Sequence, residues 1–333
     1  MALKARELAY KKGFFKTKKA PSFVLSIGNL TLGGSGKTPI TMLLAQWAKE
    51  KGYRVAVISR GYKGNKSSKK PIVVSDGKRV YLGPKEVGDE PYMMAKKLKD
   101  VPILISKSRF NACVLAKEIF DTEVSILDDG FQHLALYRNL NLLMLTPNTF
   151  QDELFPLGNL REPIGSITRA DVLLVVLDEL KTLDHISLPF LFNGPIFIAR
   201  QLPHKVYLAK EAKELALSFL KGKDLIAFTG IAQPDRFLNT LFHLKANVIK
   251  FYRFKDHHYF RPKDIQKIKQ ELEKGLYLIT TEKDWARLEE LSYLFGPELL
   301  VLSTHIEVER AEKFFALIER AILGGVKDKR SLA

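Results

Sequence analysis

The sequence predicts an α/β protein: a P-loop NTPase-like parallel-sheet domain followed by a second, smaller α/β domain. Three observations carry this. An apolar strand, Val24 to Ile27, runs into a glycine-rich loop and then into Lys37-Thr38 at the head of a helical segment. Apolar runs of strand length alternate with helix-like stretches along most of the chain. The alternation loosens between Pro189 and Leu208 and then resumes, dividing the chain into residues 1–195, an extended linker 196–209 and residues 210–333.

The first observation carries the chemistry. In VLSIGNLTLGGSGKT, Gly33, Gly34, Ser35 and Gly36 form a loop whose backbone N–H groups, with those of the helix start, converge on an anion. Lys37 then reaches the outer phosphates and the Thr38 hydroxyl holds Mg²⁺. Thr31 stands where the usual spacing has its first glycine, so Gly33 and Gly34 supply the turn.

The second observation supplies the strands and what they deliver. Val55–Ile58 ends in SRGY, which places Arg60 at the crevice where such sheets bind ligands. Ile72–Val74 and Arg79–Tyr81 flank Asp76-Gly77 as a hairpin. In VGDEPYMMAKKL, Gly88 turns the chain and Asp89 stands at a helix start, either as an N-cap or as a carboxylate aimed at the phosphates. Strand Ile103–Ile105 and a helix over 109–120 follow. Val124 to Asp129 is an apolar strand ending in two carboxylates, the Walker B arrangement. Adjacent residues on a strand point apart, so only one of Asp128 and Asp129 is a direct metal ligand. His133 follows in GFQH, as a positioning group or a plain loop histidine. Leu140–Leu145 and Val172–Leu177 are further strands, the latter closing the parallel sheet. Between them, Arg161-Glu162 serves phosphate and metal or forms a surface ion pair.

Beyond the linker, strands at 225–228, 248–252, 277–279 and 299–302 lead into TGIAQPDRFLNTL, FKDHHYF, TTEKDWARL and a final helix over 308–323. Composition sets the partners. The 333 residues carry a net charge of +16 and one cysteine, Cys113. This points to anionic partners and excludes an internal disulfide framework. No apolar run approaches the about 18 residues of a membrane span. Residues 1–19 carry seven Lys/Arg against one Glu, with Leu3, Tyr10, Phe14 and Phe15 among them. That segment either lies on an anionic bilayer or packs as a basic first helix.

SIGNLTLGGSGKTP, SRGY, GDEP, DDGFQH, the REP of GNLREP, FTGIAQPDRF, DHH and TEKD occur in that order from Ser26 to Asp284. In this the chain resembles the tetraacyldisaccharide 4′-kinases of lipid A biosynthesis. The resemblance implies ATP- and Mg²⁺-dependent phosphorylation of the 4′-hydroxyl of lipid A disaccharide 1-phosphate, giving lipid IVA. It implies peripheral work at the cytoplasmic face of the bacterial inner membrane, with no nucleic acid or protein partner. Carried over by motif, Lys37 and Thr38 hold phosphates and Mg²⁺, and Asp129 and Glu162 are metal-shell acids. Asp89 is the general base, paired with His257, and Arg161 stabilises the transferring phosphate. Arg60, Asp128 and His133 face substrate. The rival reading, a P-loop ATPase or GTPase that binds nucleic acid or acts as a switch, rests on charge alone. No Asn-Lys-x-Asp guanine signature is present, since Asp284 directly follows Lys283.

Overall fold

The computed structural model describes residues 2–32, 36–62, 64–66, 68–177, 192–273 and 275–330. In chain order the elements are α1 (Ala2–Lys11), β1 (Phe23–Asn29), α2 (Lys37–Glu50), β2 (Val55–Ser59), β3 (Ile72–Ser75), α3 (Pro84–Val87), α4 (Asp89–Lys97), β4 (Ile103–Ile105), α5 (Arg109–Phe120), β5 (Val124–Leu127), β6 (Leu140–Leu145) and β7 (Val172–Leu177). They continue as β8 (Ile196–Leu208), β9 (Lys213–Leu215), β10 (Asp224–Thr229), α6 (Pro234–His243), β11 (Asn247–Arg253), α7 (Pro262–Lys269), β12 (Tyr277–Thr281), α8 (Glu282–Leu288), β13 (Leu299–Val308) and α9 (Ala311–Arg330). Short 3₁₀ turns fill several connections.

The chain forms two compact units, residues 1–201 with 306–333, and residues 202–305. In the first unit the strand order is β7-β6-β1-β5-β2-β4-β3. All pairs are parallel except β3 with β4. Every residue of β1, β2, β5, β6 and β7 is buried, as a parallel sheet covered on both faces requires. The sheet does not close at β7, as the sequence reading expected: Ile196–Arg200 continues it in parallel, in register with Leu173–Leu177.

The division also differs from the expected 1–195 and 210–333. Residues 196–208 form one strand rather than a linker, and the chain passes from the first unit to the second within it. The final helix belongs to the first unit. Phe314, Ile318 and Ile322 of α9 are buried in the same core as Phe23, Leu44 and Leu174. The Phe315 ring stacks on Trp47 at 5.1 Å between centroids.

The second unit holds the parallel order β11-β10-β12-β13, with β9 antiparallel to the later part of β8. Phe237 and Leu241 of α6 pack in one core cluster, and Ile265 and Ile268 of α7 in another.

Candidate active site

The carboxyl ends of β1 and β5 lock together through two glycines. A Cβ at Gly28 would sit 2.5 Å from Phe131 Cβ, and one at Gly130 would sit 2.7 Å from Leu127 Cβ and from Ser26 Oγ. Gln132 Nε2 donates to the Asn29 carbonyl at 2.8 Å across the same junction. The DDGFQH loop is thereby fixed beside the strand that feeds the phosphate loop. Gly33, Gly34 and Ser35 lie outside the described residues. Gly36 adopts φ +79° and caps α2 without a side chain, and no acid stands in the first turn of α2. Its N–H groups therefore open toward an anion. The helix begins at Lys37, with Thr38 second.

Lys37 is nearly buried. Its Nζ donates to Asn29 Oδ1 at 3.0 Å and lies 3.7 Å from Asp129 Oδ1. Burial lowers its pKa, against the opposing pull of Asp129. The two aspartates diverge as expected. Asp129 has φ +57°, and Arg161 Nη1 donates to both its carboxylate oxygens at 3.0 and 2.8 Å. Burial opposes ionisation of Asp129, but Lys37, Arg161 and Arg109 outweigh it and hold the carboxyl below its usual range. Asp128 points instead to α2, accepting from Thr41 Oγ1 at 3.1 Å. Burial, then the charges of Asp129 and Glu90, push its carboxyl up to about 6. Asp128 was expected to face substrate; it is buried against α2.

Glu162 also departs from expectation. Only Arg161 of that pair meets the aspartates. Glu162 is buried and ion-paired to Arg169, whose guanidinium lies 4.6 Å from the Phe131 ring centre. Buried together, the Glu162 carboxylate and the Arg169 guanidinium satisfy one another.

Two residues that sequence reasoning missed join the site. Glu90 acts electrostatically on both Lys37 and Asp128. Buried Arg109 opens α5, donates from Nη1 to the Ser106 carbonyl at 2.9 Å, and is pushed down to about 10, first by burial. The available signal was position: Glu90 adjoins Asp89, and Arg109 follows the carboxyl end of β4. The Nε atoms of Arg109 and Arg161 are buried with no hydrogen-bond partner among the described residues. His133 is pushed down to about 4, first by burial and then by Arg109, Arg138, Arg6 and Arg60. This arginine-rich surround suits an anion, and exposed Arg60 is part of it.

Asp89 is not an N-cap. Gly88 caps α4 at φ +91°, and Asp89 is the first helical residue. A Cβ at Gly88 would meet the Tyr62 carbonyl oxygen at 2.3 Å, so the GDEP turn is pressed against the SRGY loop. Asn65 N and Lys66 N donate to the carbonyls of Lys85 and Glu86, tying the same loops.

In the second unit, His257 adopts φ +59°, and its backbone N–H donates to the Gly230 carbonyl. Its Nδ1 lies 3.3 Å from Arg287 Nη2. The adjacent His258 is held otherwise: its Nε2 lies 3.0 Å from Asp264 Oδ2 and its ring stacks on Phe254.

A family model described as tetraacyldisaccharide-1-P 4′-kinase, LpxK, matches residues 1–323. The tetraacyldisaccharide 4′-kinase of Aquifex aeolicus is 38% identical over 318 residues, covering 95% of this chain and 93% of that protein. That of Desulfotalea psychrophila is 37% identical over 326 residues, covering 95% and 91%. The crystal structure of Aquifex aeolicus LpxK in complex with ATP superimposes with a TM-score of 0.78 at 36% identity, over 96% of this chain and 95% of that one. The chain belongs to the tetraacyldisaccharide-1-P 4′-kinase family.

Proposed function

We propose a division of labour among these residues for the family reaction, transfer of a phosphoryl group from ATP to the 4′-hydroxyl of tetraacyldisaccharide 1-phosphate. As a member of the family the chain is a kinase of lipid A biosynthesis; the reading as a nucleic-acid ATPase or a GTPase switch is not favoured. The observation that carries the division is the meeting of Lys37, Asp128, Asp129 and Arg161 at the carboxyl ends of β1 and β5. Lys37 and the α2 N-terminus hold the outer phosphates of ATP. Arg161 neutralises charge on the group in transfer, and Asp129, its present partner, would then be available to a cation.

Mg²⁺ fits the donor set. Asp128 sits among Asp129 and Glu90 with its carboxyl pushed up to about 6, an acidic grouping that a divalent cation would stabilise. Asp129 and Thr38 would hold it, with Asp128 and Glu90 nearby in charge; Glu162 is ion-paired to Arg169. Bound there, Mg²⁺ would neutralise the β- and γ-phosphate oxygens. Asp89 accepts the proton of the sugar hydroxyl, with His257 as its partner, because a sugar hydroxyl is a weak nucleophile until its proton has an acceptor. Arg60 and His133 take the anionic disaccharide side.

The lipid is met at a membrane surface, the cytoplasmic face of the inner membrane, by peripheral contact. Among the described residues no helix is long and apolar enough to cross a membrane. Leu8, Phe14 and Phe15 are exposed beside the exposed Lys12 and Lys16, the mix of apolar and basic groups that an anionic interface takes up. Phe155 and Leu157 are exposed on a loop whose base pairs with the phosphate-loop flank, Leu32 N donating to the Asn159 carbonyl at 2.7 Å.

The test is transfer itself. Incubated with ATP, Mg²⁺ and tetraacyldisaccharide 1-phosphate in detergent, the protein is expected to give a lipid heavier by one phosphate, and none when Mg²⁺ is chelated. ATP hydrolysis without lipid phosphorylation would contradict the reading.

A further inference from the structure

The TEKD motif has no part in the chemistry above, yet it builds a buried, hydrogen-bonded polar network in the second unit. Asp284 is fully buried. Its Oδ2 accepts from Thr229 Oγ1 at 2.5 Å and Thr281 Oγ1 at 2.8 Å. Its Oδ1 accepts from the Gly230 N–H and Arg287 Nη1, both at 3.1 Å. Arg287, itself buried, sends the same Nη1 to the Gly230 carbonyl at 2.8 Å. Its second terminal nitrogen, Nη2, is thereby aimed at His257 Nδ1, 3.3 Å away. The Gly230 carbonyl also receives the His257 N–H, which fixes the histidine backbone in its left-handed conformation on the same hub.

A guanidinium has donors and no acceptor. Nδ1 must therefore be the acceptor in this contact, and the neutral ring carries its proton on Nε2. We infer that Asp284 and Arg287 are positioning residues for the kinase reaction: Asp284 anchors one arm of the guanidinium so that the other sets His257 in the Nε2–H tautomer. The inference rests on the reading that His257 assists Asp89. A ring locked in that tautomer offers one defined donor, Nε2–H, and the Asp256 carboxylate lies 3.8 Å from that nitrogen. Arginine is required because one nitrogen serves the anchor and another serves the histidine; lysine has only one.

The experiment uses full-length ¹⁵N-labelled protein and long-range ¹H–¹⁵N correlation spectra of its histidine rings at pH 8. The His257 ring is assigned by its loss in His257→Gln. Wild type is expected to show Nδ1 at the fully unprotonated shift. In Arg287→Lys, which keeps a cation for Asp284, and in Arg287→Met, Nδ1 moves toward the averaged shift of a freely exchanging ring. In the same variants kcat falls about tenfold or more while KM for ATP and lipid stays within about twofold. Should Arg287→Met fail to fold, Arg287→Lys carries the comparison. A protonated Nδ1 in wild type, or an Nδ1 shift unchanged in the folded variants, would overturn the inference. Unchanged kcat in His257→Ala would instead sink the catalytic reading of His257 while leaving the tautomer result standing.

Discussion

Asp128 in the first unit and Asp284 in the second are both buried aspartates, and their surroundings are opposite. Asp284 accepts from two threonine hydroxyls, a backbone N–H and an arginine, so its charge is spread over donors of its own unit. Asp128 has one hydroxyl, from Thr41, and the negative charges of Asp129 and Glu90 beside it. A buried charge that is fully hydrogen-bonded organises a fold, whereas one left short of donors stores free energy that a ligand can release. The second unit thus spends its buried polar groups on holding a histidine still. The first holds an incompletely compensated cluster of Lys37, Asp128, Asp129, Arg109 and Arg161, where ATP and a cation would complete it.

Substitutions break this comparison at different strengths. The largest effect is expected from Lys37→Ala, which removes the cation of the phosphate loop. Transfer should fall by about 10²- to 10³-fold or more, with the unfolding midpoint little changed, read by lipid phosphorylation and thermal unfolding. Asp284→Ala should do the reverse. It leaves Arg287 buried without its anion and should cost about 3–5 kcal/mol in urea unfolding. A smaller effect is expected at the GDEP turn. Gly88→Ala meets both a φ of +91° and the Tyr62 carbonyl oxygen, and should cost about 2 kcal/mol and lower kcat by moving Asp89. Gly13→Ala, at φ +77° with open space around it, should cost about 1 kcal/mol and leave kcat alone. Equal effects at the two glycines would mean that the contact with Tyr62 does not hold Asp89 in place.

The sequence made the buried parallel strands plain, because a strand covered on both faces is an unbroken apolar run. Leu140–Leu145 and Val172–Leu177 fall where that pattern placed them. What it left hidden depends on residues far apart in the chain. The exact start of α2 at Lys37 rests on the left-handed Gly36 rather than on a capping side chain. Residues 196–208 become one strand through Pro203, because pairing partners on separate segments hold it extended. The apolar face of α9 gave no sign that it would pack on Phe23 and Trp47. At the site, the charged motifs were legible as motifs, but their pairings were not. Glu162 turns to Arg169, and the charge of Arg109 acts on Asp129 because β4 and β5 both flank β2.

The first unit keeps a charge in place at the expense of its own stability, a property that Asp128→Asn removes. A carboxyl raised from 3.8 to about 6 favours the protonated folded state. Its penalty is absent below the unfolded pKa, grows as pH rises toward 6 and is complete above it. In metal-free buffer Asp128→Asn should therefore stabilise the protein by on the order of 2–3 kcal/mol at pH 8 and by almost nothing at pH 4. The same variant should lose nearly all transfer to tetraacyldisaccharide 1-phosphate. A variant that is destabilised at pH 8, or one that keeps normal turnover, would contradict the account.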